Sequence, residues 1–245
     1  MTPLVIVPAR NGSRGIPHKN FTPLVGRTPV QRAIEVVNLA GWTPVLSTDG
    51  DYSGTQMEEI HGDLVIVERA LVLRRPPALA QDDMPMLAVI QHVLAQIPGP
   101  PDQPILLVQP TQVLREAKHL TEALALLTPE VDSVVSVAAL PQTHSPELQV
   151  SFEVDATGAP CNLRPWLDLV VDTAWRHMPT TRQRATPGYL RDGTVYAFWR
   201  QTVAEYAQIY GARVRPLIIP ASETCPLDTP ADWAEAERRL KARAG

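Results

Sequence analysis

The stretch Pro8-Ala9-Arg10-Asn11-Gly12-Ser13-Arg14-Gly15-Ile16-Pro17-His18-Lys19-Asn20 interleaves three cations with two glycines. Glycines let backbone N–H groups turn toward one anion, and Arg10, Arg14 and Lys19 bring positive charge within reach of several phosphates. The chemistry this composition suits is polyphosphate binding. The stretch holds neither GxGxxG nor GxxxxGK[ST], so it is neither a dinucleotide fingerprint nor a P-loop. A solvated basic loop is the competing assignment. The glycine-and-cation mixture directly after a buried strand favours phosphate over it.

Other residues could serve such a site. Asp228, just ahead of a helix start, offers magnesium the hard oxygen that this ion prefers, or else acts as an ordinary acid of a first helical turn. Gln109, at the end of a buried strand, could bond a substrate hydroxyl or tie down the Pro110 loop. Arg182 could pair bidentately with a carboxylate, although Arg176, Arg184 and Arg191 offer the same chemistry nearby. Tyr196 could contact a ligand or belong to the core.

The elements that must position these groups follow from periodicity. Leu4–Val7 is a short apolar run suited to a strand buried on both faces. Thr28 caps a helix with Pro29 at its first position and Ala33, Val36 and Val37 at helical spacing, and Gly41 ends it. Strands are expected at Thr43–Ser47, Leu64–Val67, Ile105–Val108, Ser133–Val137, Thr194–Phe198 and Val214–Ile219. Helices are expected at Leu87–Ile97, from about Glu116 to Leu127, at Gln201–Tyr210, and after a Thr229 cap with an apolar stripe of Trp233, Ala236 and Leu240. This alternation predicts an α/β fold, a Rossmann-like three-layer α/β/α domain with a mostly parallel sheet. Between about 141 and 190 the periodicity weakens, which suggests an inserted arm or lid.

Composition narrows the partners. A formal net charge of −4 over 245 residues argues against a nucleic-acid protein, which normally carries a basic excess. The two cysteines, Cys161 and Cys225, stand far apart in no metal-ligand spacing, which fits a reducing cytoplasm. The opening apolar run is too short for a signal segment or a membrane span, so neither targeting nor membrane attachment is expected.

Ordered motifs along nearly the whole chain then carry a resemblance. The N-terminal loop, Ser47-Thr48-Asp49, Arg75-Pro76 through Leu79-Ala80 to Asp82, Val108-Gln109-Pro110-Thr111 with Leu114-Arg115, His144-Ser145-Pro146 and Asp228-Thr229 resemble, in order and spacing, the acylneuraminate cytidylyltransferases, the CMP-sialic acid synthetases and their relatives.

That resemblance implies a single nucleotidyltransferase domain over 1–245 that transfers CMP from CTP to an acidic 2-keto sugar of sialic, legionaminic, pseudaminic or KDO type. Pyrophosphate would leave after in-line attack on the α-phosphate, a reaction that needs no nucleophilic Ser or Cys. CTP would lie over Ala9, Arg10, Asn11, Gly12, Ser13, Arg14, Lys19 and Asn20, with Arg75 and Asp82 toward base and ribose. Arg10, Arg14, Lys19 and Asp228 would be the catalytic set, and Asp228 would hold Mg2+. The sugar would face Gln109, Arg182, Asp192 and Tyr196, and the arm would build a homodimer.

Two departures qualify the match. Pro226 stands where the sialic acid synthetases carry the first acid of a D-x-D pair, and Asp192 stands where the family carries a sugar-contacting asparagine. An acid there could select an acceptor bearing an amine or another hydroxyl pattern. A different acceptor such as a phosphonate or sugar phosphate, a different nucleotide, and a catalytically silent nucleotide-binding paralogue are the alternatives.

Overall fold

The computed structural model describes residues 2–13, 15–50, 58–61, 64–67, 69–165 and 179–244. Strand β1 (Leu4–Ala9) is buried at every position and lies near the middle of a nine-stranded sheet. It is parallel to β2 (Pro44–Thr48), with Val5 opposite Pro44. β3 (Glu58–His61) and β4 (Leu64–Val67) precede β5 (Ala70–Arg74), and β5 is parallel to β2. On its other side β1 is parallel to β6 (Pro104–Leu107). The chain therefore moves outward from β1 through β2 and β5, then returns across β1 to β6. Such a reversal opens a crevice at the carboxyl ends of the strands, where open α/β sheets bind ligands.

β7 (Ser133–Ala139), β10 (Tyr189–Trp199) and β11 (Val214–Ile219) complete the order β11-β7-β10-β6-β1-β2-β5-β4-β3, with β10 antiparallel to β6. The expected α/β class with a parallel central sheet is observed. The strand assignment needs one correction: Leu64–Val67 runs antiparallel to Ala70–Arg74, and the latter, not foreseen as a strand, supplies the parallel neighbour of β2.

Helices cover both faces because side chains alternate along each strand. Val5, Val7 and Ala9 of β1 pack in one core with α1 (Pro29–Leu39) and α3 (Ala117–Leu126). Leu4 and Ile6 point the other way, into a core with α2 (Met86–Gln96) and Val203 of α4 (Arg200–Tyr206). A third cluster, with Leu24, Val113, Leu114, Cys225 and Leu227, receives Ala236 and Leu240 of α5 (Pro230–Ala244). Among the described residues no helix is long and apolar enough to cross a membrane.

α1 directly follows the glycine-and-cation loop, and its start is fixed by a reciprocal cap. The Gln31 N–H donates to Thr28 Oγ1 at 3.1 Å and the Thr28 N–H donates to Gln31 Oε1 at 2.9 Å. Thr28→Ala removes one half of that exchange and is expected to cost about 1 kcal/mol. For a chain of this size that is a fall in Tm of roughly 2–4 °C; an unchanged melt would contradict the cap.

The chain divides into two compact units, Met1–Val137 with Asp192–Gly245, and Ala138–Arg191. In the second unit β8 (Val150–Val154) and β9 (Pro160–Pro165) form an antiparallel hairpin. Its turn is closed by Asp155 Oδ1, which accepts from the N–H groups of Thr157 and Ala159. The Ser145 hydroxyl donates to the Thr186 carbonyl and the Leu140 N–H donates to the Gly188 carbonyl, tying the start of the unit to its end.

Candidate active site

Four carboxyl ends meet in one place. Beyond β1 comes the glycine-and-cation loop, beyond β2 Asp49, beyond β5 Arg75, and beyond β6 Gln109. Between them lies a cavity of about 350 Å³ whose lining includes Arg10, Lys19, Asn20, Arg75, Asp82, Gln109 and Asp228. Leu79, Met84, Met86 and Val89 give it an apolar wall from the segment leading into α2.

The loop is folded onto its surroundings by polar contacts at both ends. Asn20 Nδ2 donates to the Arg10 carbonyl at 3.0 Å, and the Asn11 N–H donates to Asp49 Oδ1 at 2.8 Å. The Asn20 carbonyl accepts the Val30 N–H at 3.1 Å, joining the loop to the first turn of α1. Gly15 packs directly on the backbone carbonyl of Asp228, so closely that a Cβ has no space.

Arg10, Lys19 and Arg75 each have a defined partner. Arg10 pairs with Asp82. Lys19, whose side chain is 15% exposed, donates to the Leu227 carbonyl at 2.5 Å and lies 3.3 Å from an Asp228 carboxylate oxygen. Arg75 is buried and donates to the Ser47 hydroxyl at 3.2 Å and the Ser47 carbonyl at 2.8 Å. Burial pulls its guanidinium down to about 10; Asp49 acts upward and the charge of Arg10 downward, so it remains cationic at neutral pH.

Asp228 is 73% exposed and immediately precedes the Thr229 cap of α5. The capping contact belongs to Asp232, whose Oδ2 accepts the N–H groups of Asp228 and Thr229. The Asp228 carboxylate is thus not consumed by the helix start. Among the described residues no three His, Cys, Asp or Glu side chains gather into a metal cage. Magnesium does not need one, since it commonly takes one or two carboxylates with water and phosphate oxygens. Asp228, an exposed hard donor beside the cations, fits that role.

The remaining candidates fall elsewhere. Ala9 is buried within β1, and Asn11, Gly12 and Ser13 sit on the loop without lining the cavity. Arg14 lies outside the described residues, and Arg182 belongs to a 3-10 turn at Arg182–Arg184 in the second unit. Tyr196, on β10 opposite Leu107, packs against the core under α2. The carboxylate of Asp192 accepts the Thr194 N–H at 3.2 Å and the Thr194 hydroxyl at 2.5 Å. Asp49 and Arg115, present in the sequence motifs but given no role there, also take part. The methionine wall and the buried Gln112 behind Gln109 were not foreseen and left no sequence signal.

Solved structures share the fold. The fold matches a structure of CMP:2-keto-3-deoxy-manno-octonic acid synthetase complexed with CTP at a TM-score of 0.66 and 15% identity, over the whole of both chains. It matches 4-diphosphocytidyl-2C-methyl-D-erythritol synthase from Anaerococcus prevotii at 0.56 and 9% identity, over 98% and 99% of the two chains. The likeness is one of fold, a mostly parallel α/β sheet covered by helices.

Residues 4–156 match the cytidylyltransferase family model, and the chain belongs to that family. It is 23% identical over 237 residues to the N-acylneuraminate cytidylyltransferase of Streptococcus agalactiae serotype III, covering 95% of this chain and 52% of that protein. It is 27% identical over 241 residues to N-acylneuraminate cytidylyltransferase A of Danio rerio, covering 96% and 50%. With the CMP-N,N'-diacetyllegionaminic acid synthase of Legionella pneumophila it shares 24% identity over 245 residues, covering 97% and 96%. The chain spans about half the length of the N-acylneuraminate cytidylyltransferases it matches.

Proposed function

We propose that the chain transfers CMP from CTP to an acidic 2-keto sugar of the sialic, legionaminic, pseudaminic or KDO type and releases pyrophosphate. The observation that carries this reading is the convergence of Arg10, Lys19, Arg75 and Gln109 on one cavity at the carboxyl edge of the parallel strands. Family membership and the named relatives support the choice of nucleotide and acceptor.

The acceptor hydroxyl oxygen forms a bond to the α-phosphorus, the bond from that phosphorus to the bridging oxygen breaks, and pyrophosphate leaves with the electron pair. The hydroxyl proton passes to solvent. Arg10 and Lys19 leave their intramolecular partners and, together with Arg14, hold phosphate oxygens in line for the displacement. Arg75 and the Asp82 segment orient base and ribose, and Gln109 bonds the acceptor. Asp228 would hold magnesium, which would supply charge neutralisation on the phosphoryl oxygens. In this reading the protein works in the cytoplasm as a homodimer, with the unit Ala138–Arg191 as the dimerisation arm.

Pyrophosphate release from CTP, measured across N-acetylneuraminate, N,N'-diacetyllegionaminate and KDO, tests the proposal. Turnover with at least one acceptor, abolished by EDTA and restored by magnesium, is expected. CTP binding without turnover across the panel, or turnover only with a phosphonate or sugar phosphate, would overturn it.

A further inference from the structure

Arg115 is only 5% exposed, yet its guanidinium carries a positive charge into the interior behind Gln109. Its Nε donates to the Thr194 carbonyl at 2.5 Å, and one terminal nitrogen donates to the carbonyls of Gln109 at 2.5 Å and Gly193 at 3.4 Å. One planar group thus joins the loop after β6 to residues 193–194 of β10. Beside it Gln112 donates to the Asp192 carbonyl, while its own amide oxygen accepts the Cys225 N–H at 3.1 Å. That bond extends the brace to the segment that carries Leu227 and Asp228, the partners of Lys19.

A buried cation needs an anion, and the nearby carboxylate is Asp192. Burial pulls the Arg115 guanidinium down to about 9, and the charge of Asp192 acts in the opposite direction. Both Asp192 oxygens are taken up by Thr194, as its N–H and its hydroxyl donate to them. The backbone allows little slack here. Gly193 has φ +76°, and a Cβ on it would stand 2.8 Å from the side-chain oxygen of Gln109.

We infer that Arg115 is a positioning residue with Asp192 as its counter-charge, and that together they set the place of Gln109 in the acceptor pocket rather than touching the acceptor. The inference rests on the proposed function, because it takes Gln109 as the acceptor contact. It also changes the meaning of the acid at position 192. Charge there balances a buried guanidinium and does not choose between acceptors with and without an amine.

Asp192→Asn and Arg115→Lys are the test variants, each read in two ways. Amide hydrogen exchange at residues 109–115, 192–195 and 224–228 reports the brace without reference to catalysis, and is expected to rise about tenfold in Arg115→Lys. Steady-state kinetics, with CTP and with a pair of acidic sugars differing by an amine, report the pocket. In both variants KM for both sugars is expected to rise by a common factor of about five to ten, with KM for CTP within about twofold of the original. The ratio of the two sugars should stay within about twofold in Asp192→Asn.

A shift of that ratio by about tenfold or more would make Asp192 an acceptor contact and overturn the inference. Equal losses for CTP and sugar, or unchanged exchange in the three segments, would overturn it as well. If Arg115→Lys does not fold, Asp192→Asn carries the test, since it keeps shape and removes only charge. Absence of turnover by the unsubstituted chain would sink the proposed function and leave hydrogen exchange to decide the brace.

Discussion

Lys19→Met should lower kcat/KM for CTP by about 10²–10³, equivalent to roughly 3–4 kcal/mol of lost transition-state stabilisation, while leaving the chain folded. The lysine stem is mostly covered and its amine meets the Leu227 carbonyl and Asp228 at the cavity wall. Methionine fills the volume of the stem but cannot neutralise a phosphate. Loss of the amine also leaves the Leu227 carbonyl without that donor, so about 1 kcal/mol of stability should go with it. The two effects separate readily. Calorimetric CTP titration and steady-state kinetics should change by orders of magnitude, and the thermal midpoint by only a few degrees. Kinetics indistinguishable from the original chain would mean that Lys19 is a structural tie and nothing more.

The second large effect is expected at Gly15. An added Cβ would run into the backbone oxygen of Asp228, which cannot swing away as a flexible side chain would. Either the loop or the Asp228 segment must shift, separating the cations from the carboxylate assigned to magnesium. Displacements of about 1 Å at such sites typically cost about a hundredfold in rate, and overpacking costs about 1–3 kcal/mol in stability. Gly15→Ala should show both losses. Gly12→Ala is the internal comparison: among the described residues no heavy atom beyond its chain neighbours lies within 4 Å of its Cβ position, so its thermal midpoint should move by no more than about a degree. Equal melts for the two variants would contradict the close docking of the loop.

These contrasts show where the sequence was informative. The opening strand, loop and helix were legible because three independent signals coincide: an apolar run, glycines among cations, and the Thr28-Pro29 helix start. The parallel strand Ala70–Arg74 was not, because the chain reverses around Arg69 at φ +65°, and a non-glycine residue in a left-handed conformation gives no turn signal. The same reason shortens α4, which was expected to continue to Tyr210. Its helix ends at Ala207, with φ +50° and no glycine to announce it.

The site divides along similar lines. Arg10 and Lys19 could be picked out from residue type and neighbourhood. Arg75 and Asp82 emerged only from their resemblance to a known pattern, since nothing local distinguishes them from other surface charges. Gln112 was not legible, and Arg115 only as part of a motif without a role, because they bind backbone carbonyls 78–80 positions away, at Asp192, Gly193 and Thr194. A carbonyl is present at every residue and leaves no mark in the sequence.

The central claim is that the loop after β1 closes on a nucleoside triphosphate. A crystal structure with CTP and magnesium tests it most directly. The account predicts phosphate oxygens within hydrogen-bonding distance of Lys19 Nζ and the Arg10 guanidinium, with Arg10 released from Asp82. A triphosphate bound elsewhere, with Lys19 still on the Leu227 carbonyl and Arg10 still on Asp82, would contradict it.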